Sequence, residues 1–408
     1  MKKIMILGAG VYQVPIIQKA KEKGLYTIAV SPRGNYPGLK IADKTYDLDV
    51  RDQESILEIA REEGISGITT DQTDIAIRAV AYVAEKMQLP GIGYECAKLF
   101  TDKFKMRKKS EELGLPTIRN NVVYSLEAAL EFFNETDKSV MIKPVDNQGS
   151  RGVFRVDTEG ELVDKFEEAR RFSHKGKIII EEYIEGDEYE VDSIVLDGRE
   201  HMLMCGDVTL FDVPGIFASK TRLYPSAGSR KVLEKLYDLN KKTIEGFGLK
   251  QGLTHSEYLV DKTGQPYLIE AAARGGGAFV SSYITELQTG LNTAEFLIDA
   301  ALGIVNKDMT IGRELCHCGT LSFYLPKGRV VSLEGIDRAK NLPFVKAHLL
   351  DEIKLGMETV KFSDKTSRYI SVLVGNSRQE LLQNIALFRD TVKTKVNVGN
   401  EIQGPVWG

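Results

Sequence analysis

Glu257 and Glu270 are the residues whose types and spacing most plainly offer chemistry. The run Thr254-His255-Ser256-Glu257-Tyr258-Leu259-Val260 alternates like a strand. Asp261-Lys262-Thr263-Gly264-Gln265-Pro266 has turn chemistry, and Tyr267-Leu268-Ile269-Glu270 returns as a second strand. Pairing Asp261 with Pro266 sets Glu257 opposite Glu270 and His255 opposite Ala272. Opposed side chains on one face have Cβ atoms about 4.5–5.5 Å apart. Two like charges at that separation repel unless something positive lies between them. Mg²⁺ suits the position, because it takes carboxylate oxygens and keeps further places for water and phosphate. The competing reading is a solvated hairpin face with two unrelated acids, and a shifted register would break the pairing.

Two glycine turns could hold phosphate. Gly8-Ala9-Gly10 opens the first predicted helix, but Gln13 stands where a dinucleotide fingerprint has its third glycine. The following strand ends Ala29-Val30-Ser31, with no acid to hold a ribose hydroxyl. A nicotinamide oxidoreductase is therefore disfavoured, and a plain strand-to-helix turn competes with any phosphate role. The second turn, Gln148-Gly149-Ser150-Arg151-Gly152, joins two strands and is not a Walker loop. Two glycines around a serine would let backbone N–H groups close over phosphate oxygens. Lys143 at a strand end and Lys103 at a helix start could reach the same phosphates. An ordinary β-hairpin is the alternative. Cys316-His317-Cys318 reads as half-buried strand, since neighbours alternate faces and no second cysteine pair completes a tetrahedral site.

These residues must be positioned by a chain of 408 residues, enough for two or three domains. The net charge of −4 and the lack of a Lys/Arg block argue against nucleic acid. The apolar run Ile4–Leu7 is too short for a signal peptide, and no apolar run reaches the roughly 18 residues of a membrane span. Four cysteines suggest a reduced, cytoplasmic setting.

The first stretch reads βαβα: strands Lys3–Leu7, Tyr26–Val30 and Gly67–Thr70, with helices Val14–Lys23, Ser55–Glu63 and Ile75–Met87. That alternation predicts a parallel sheet with right-handed crossovers, ending near Pro90-Gly91-Ile92-Gly93. A helix capped at Thr101-Asp102-Lys103 follows. Next come helices Ser125–Phe133 and Glu161–Phe172 among strands Ser139–Pro144, Val153–Val156, Lys177–Glu182 and Tyr189–Leu196. Thr209–Ser229 reads as irregular, with Lys220 and Arg222 as cations that could meet a carboxylate or be solvated. Arg230–Phe247 is a long helix before the glutamate hairpin, and Thr293–Leu302 a helix after it. Beyond Asn306, strands near Gly319–Leu325 and Tyr369–Gly375 and a helix Arg378–Thr394 form a third module.

Together the pieces resemble the ATP-grasp superfamily of carboxylate–amine ligases. The likeness rests on Thr101-Asp102-Lys103, Met141-Ile142-Lys143-Pro144, Gln148–Gly152, Glu181-Glu182-Tyr183-Ile184-Glu185-Gly186-Asp187-Glu188, Glu257, and Glu270-Ala271-Ala272-Ala273-Arg274-Gly275-Gly276-Gly277. It looks most like the L-amino-acid ligases (dipeptide synthetases) and their biotin-carboxylase-like relatives. The resemblance implies an α/β and α+β architecture. Residues 1–95 would be a parallel-sheet, Rossmann-like pre-ATP-grasp domain. Residues 96–305 would be an ATP-grasp fold of two α+β subdomains, with a lid at about 119–185. Residues 306–408 would be an α+β module shaping the substrate end.

By the same resemblance Lys103 and Lys143 bind ATP phosphates, and Gly149, Ser150 and Gly152 fold over the triphosphate. Glu181 and the backbone of Ile184 bracket adenine, and Glu188 holds the ribose. Glu257 and Glu270 hold Mg²⁺, one ion or two, with Mn²⁺ able to substitute. Arg274 faces the reacting acyl group. Many relatives place asparagine where this chain has Ala272, which puts a second ion in question. The expected substrates are a small carboxylate, an amino acid foremost, and an amine, with ADP and phosphate released. A homodimer stays open. The rival within the superfamily is an enzyme of purine or carboxylation type with a phosphoribosyl or formate substrate. A nucleotide sensor without catalysis is the other.

Overall fold

The computed structural model describes residues 1–136, 139–147, 149–304, 315–362 and 367–408. The strands β1 (Lys3–Leu7), β2 (Tyr26–Ser31), β3 (Lys44–Asp47) and β4 (Gly67–Thr69) form a parallel sheet in the order β3-β2-β1-β4. Helices Val14–Glu22, Gln53–Glu63 and Ile77–Lys86 are its crossovers. Strand β3 was not foreseen; its sequence Lys-Thr-Tyr-Asp is polar because it is an edge, mostly exposed.

The next four strands, β5 (Asn120–Val123), β6 (Val140–Pro144), β7 (Phe154–Val156) and β8 (Ile178–Glu182), make an antiparallel sheet in the order β5-β8-β6-β7. Helices Leu126–Asn134 and Glu159–Arg171 bury Ala129, Phe132, Leu162, Phe166 and Ala169 against it, so this layer has a core of its own. Ser125 and Thr158 cap the two helices, each accepting a backbone N–H three residues on. All of this lies within 119–185. Gln148, in the turn between β6 and β7, is outside the described residues.

The large sheet has eight strands: β9 (Gly186–Leu196), β10 (Arg199–Leu210), β11 (Ser219–Tyr224), β12 (Gly252–Asp261), β13 (Pro266–Ala272), β14 (His317–Phe323), β15 (Val345–His348) and β16 (Tyr369–Gly375). Their order is β13-β12-β9-β10-β11-β14-β16-β15. One expectation fails here. The stretch from Thr209 to Ser229 is not wholly irregular: β10 runs to Leu210 and β11 pairs with both β10 and β14. Its Lys-Thr-Arg interior hides the strand, because Arg222 is buried by an ion pair. Among the strands of the third module, β14, β15 and β16 extend the central sheet. A small sheet of Gly328–Ser332, Glu358–Thr359, Lys395–Val398 and Glu401–Gln403 flanks them. The boundary near Asn306 lies outside the described residues.

One core ties the first domain to the central sheet: Ile4, Ile6, Ile16 and Ile17 pack with Ile194, Leu253, Phe279 and Ile298. The Gly8–Gly10 turn is filled from within. Gln13 Oε1 accepts the Gly10 N–H at 3.1 Å and Gln13 Nε2 donates to Asp71 O at 2.7 Å. Gln13 thus occupies the concavity that a pyrophosphate would need. Among the described residues no helix is long and apolar enough to cross a membrane.

Candidate active site

The glutamate hairpin closes differently from the simple register. Val260, not Asp261, is opposite Pro266, and Asp261 N donates to Gln265 O at 3.0 Å. A β-bulge then skips Ile269 and restores the pairs Glu257–Glu270 and His255–Ala272. Without the bulge Glu257 would face Ile269, and Glu270 would turn to the other side of the sheet. The extra residue is put to use, because Arg107 Nη2 donates to Ile269 O at 2.9 Å.

Across β9 a third acid joins the row. Glu190 is opposite Glu257, so Glu190, Glu257 and Glu270 stand abreast on three neighbouring strands. The sequence reading missed Glu190. Its signal was there: Glu188, Glu190 and Asp192 alternate along the strand and so share a face. Glu190 is 1% exposed. It meets Arg222 Nε at 2.6 Å and accepts from Tyr224 OH at 2.9 Å.

Helix Lys103–Glu112 starts at Asp102, whose side chain accepts the Lys105 N–H. Residues four apart share a helix face, so Lys103 and Arg107 both point at the sheets. Lys103 Nζ donates to Glu270 Oε1 at 2.7 Å and to Asn147 O at 2.9 Å. Burial alone would lower its pKa; Glu270, Asp74 and Glu257 outweigh that and raise it. Arg107 Nε donates to Glu181 Oε1, and Lys143 Nζ to Glu181 Oε2, both at 2.7 Å. Burial pushes the Glu181 carboxyl up, but the two cations prevail and hold it at about 2. Arg107, 2% exposed, was also missed; a lone arginine inside a polar helix gives no periodic signal.

A cleft of about 460 Å³ opens between the lid sheet and the central sheet. Lys103, Lys143, Gly149, Ser150, Glu181, Ile184, Glu188, Glu257 and Glu270 all line it, as do Glu190 and Arg222. Gly152 is not among the lining residues. It turns the chain at φ +73°, and a Cβ there would come within 2.9 Å of Phe172. Ser150 sits at φ +59° and its Oγ donates to Phe217 O at 2.5 Å, across the cleft. Arg274 is likewise absent from the lining. Its Nε and Nη2 grip Asp74 at 2.9 and 2.7 Å, and Nη1 donates to Gly275 O at 2.9 Å. Asp74 belongs to the first domain, so that domain reaches the site through one loop. Lys220 does not join the group. Cys318 is buried in β14, and Cys316 donates to Leu287 O at 3.3 Å.

His255 is 4% exposed on the same face as Glu257. Its Nδ1 lies 2.9 Å from Asp192 Oδ1. Burial alone would lower its pKa, but Asp192 and Glu190 raise it.

The sandwich of a lid sheet over a central sheet, with cations and acids converging between them, is an ATP-grasp arrangement, and residues 136–282 match the ATP-grasp domain. The chain carries an ATP-grasp domain over those residues. It is 27% identical over 269 residues to the alanine–anticapsin ligase of Bacillus subtilis (strain 168); the match covers 60% of this chain but only 56% of that ligase. It is 24% identical over 298 residues to the formate-dependent phosphoribosylglycinamide formyltransferase of Wolinella succinogenes, covering 72% of this chain and 74% of that one. In fold it is similar to the L-amino acid ligase from Bacillus licheniformis, with a TM-score of 0.83, 22% identity, and coverage of 98% and 99% of the two chains.

Proposed function

We propose that this chain is an ATP- and Mg²⁺-dependent ligase that joins the carboxylate of an amino acid to an amine and releases ADP and phosphate. The observation that carries the reading is the single cleft in which Lys103, Lys143, the Gly149–Ser150 turn, Glu257 and Glu270 converge. Similarity to an alanine–anticapsin ligase supports the choice of substrates.

The chemistry runs in two steps. A carboxylate oxygen attacks the γ-phosphorus of ATP, and the bond to ADP breaks. The amine nitrogen then attacks the acyl carbon of the acylphosphate, phosphate leaves and the nitrogen loses a proton. Such transfer asks for positioning and charge neutralisation and for no covalent nucleophile. Lys103 and Lys143 are set to meet the phosphates. Glu181 is assigned to the adenine edge with the backbone of Ile184, and because its two oxygens accept from Arg107 and Lys143 it would aim Lys143 as well. Glu188 is assigned to the ribose. The turn at Gly149 and Ser150, shaped by Gly152, would keep water from the acylphosphate.

The opposed carboxylates of Glu257 and Glu270 fit an oxygen-liganded divalent cation, and Lys103 already supplies one positive charge there. A bound Mg²⁺ or Mn²⁺ would offset charge on the transferring oxygens. Arg274 keeps a second N–H on Nη1 and on Nη2 beyond those bound to Gly275 and Asp74. Aimed at the acyl oxygen, such donors are worth roughly 3–4 kcal/mol each.

The test is ATP-dependent phosphate release with Mg²⁺ across single amino acids, amino-acid pairs and small carboxylic acids, with products weighed by mass spectrometry. Release that requires both a carboxylate and an amine, with a condensed product, is expected. Release that requires a phosphoribosylated amine and formate would move the chain to the purine-type reading. No release with any set, despite ATP binding, would overturn the ligase assignment for amino acids.

A further inference from the structure

Glu190, His255 and Glu257 bring one nitrogen and two carboxylates together on adjoining strands, with ligand atoms all within 4.8 Å of one another. His255 Nε2 lies 3.8 Å from Glu190 Oε1 and 4.0 Å from Glu257 Oε1. Those separations are too long for hydrogen bonds. They are the separations of ligand atoms that share an ion, because bonds of about 2.0–2.2 Å from one metal set neighbouring donors roughly 3–4 Å apart.

The surroundings prepare the imidazole. Asp192, opposite His255 on β9, takes Nδ1 at 2.9 Å and leaves Nε2 aimed between the two glutamates. A carboxylate on the far nitrogen fixes tautomer and ring orientation in metal-bound histidines. On the other side His255 is opposite Ala272, whose methyl group leaves space above the imidazole. At Gly276 a Cβ would stand 2.8 Å from Nδ1, so the glycine loop closes over the ring without displacing it. Arg222 holds Glu190 at 2.6 Å, yet each carboxylate oxygen has a second lone pair.

We propose that Glu190, His255 and Glu257 form a mixed nitrogen–oxygen site for a divalent transition ion of the Mn²⁺ or Zn²⁺ class, separate in donor set from the all-oxygen pair Glu257–Glu270. Imidazole favours such ions, whereas carboxylate and water alone suit Mg²⁺. The site lets the chain select its metal by softness rather than by charge alone.

The experiment uses Mn²⁺ alone with the full-length protein, without nucleotide, so its failure leaves the phosphate-release test of the ligase reading untouched. Binding is followed by titration of the free-ion electron paramagnetic resonance signal, and the bound ion by pulsed resonance for coupling to ¹⁴N. We expect one bound ion with imidazole nitrogen coupling. His255→Gln should abolish the coupling and weaken binding by about tenfold or more, and Asp192→Asn should weaken binding about 10–100-fold with the coupling retained. Bound Mn²⁺ without nitrogen coupling in the unaltered protein would overturn the site. So would the absence of binding at millimolar Mn²⁺, or coupling that persists in a folded His255→Gln protein.

Discussion

The lid sheet and the central sheet enclose one cleft but differ in how much charge they bury. The lid carries its own apolar core of Val140, Ile142, Ile178, Ile180 and two helices, and polar contacts such as Lys103 to Asn147 and Ser150 to Phe217 join it to the rest of the protein. The central sheet has apolar cores too, but beside them it buries a charged cluster of Glu190, Asp192, Arg222 and His255. A layer stable by itself can swing as a unit, while a layer of fixed charges must already be in place when phosphate arrives. The Arg107–Glu181–Lys143 triad is the joint between the two, since Glu181 and Lys143 are lid residues and Arg107 also binds the bulge of the central hairpin.

The largest effect is expected where that fixed charge is removed. Glu270→Ala takes away one side of the carboxylate pair and frees Lys103 from its partner. Product formation should fall by roughly a thousandfold or more, as when electrostatic groups of active sites are deleted. Circular dichroism should show the fold intact. Phosphate release within tenfold of the unaltered protein would mean that the central face does not do the chemistry.

Cutting the joint comes next. Arg107→Ala leaves Glu181, 1% exposed, with Lys143 as its one charged partner. Breaking a buried pair from one side costs about 3–5 kcal/mol. Urea unfolding should show that loss, and the lid should become open to proteolysis before the central sheet does. Simultaneous cleavage of both would indicate that the two layers are not separable.

Much of the placement was legible in the sequence, and two of the misses share a cause. Glu257, Glu270, Lys103 and Lys143 were readable because short-range signals place them: a hairpin, a helix cap, a strand end. Strand β11 and Arg107 were not. In both, a buried arginine looks like a surface residue until its partner is known, and those partners, Glu190 and Glu181, are separated from them by 32 and 74 residues. The bulge at Ile269 escaped for a related reason, since what pins it is the guanidinium of a distant helix. That strands of the third module join the central sheet was not legible either, because strand patterns say that strands exist, but not which sheet they join.

The pH response should separate the joint from the first domain's loop by sign. Glu181 is held at about 2, below its ordinary 4.5, so its contribution is present above pH 4.5 and is lost as pH falls through 2. Burial pushes Asp71 up to about 6 from 3.8, only partly offset by Ser281 and Gln72. Its contribution is present below pH 3.8 and is lost as pH rises through 6. Asp71→Asn should therefore add about 3 kcal/mol of stability at pH 8 and little at pH 4. Equal gains at both pH values in urea unfolding would show that packing, not ionisation, sets the effect.

The smallest effect tests whether the lid is held shut by its tip. Ser150 sits at φ +59°, a conformation that costs a residue with a Cβ of the order of 1 kcal/mol, and the Oγ bond to Phe217 O holds it there. Ser150→Ala keeps the backbone cost and removes the bond, worth about 1 kcal/mol. The central sheet is untouched, so kcat should stay within a factor of about two while KM for ATP rises roughly fivefold. Ser150→Gly removes both the bond and the strain, and its KM should lie between the two. If kcat falls with Ser150→Ala as far as KM rises, the tip takes part in the transition state, and the division between a closing layer and a reacting layer is drawn in the wrong place.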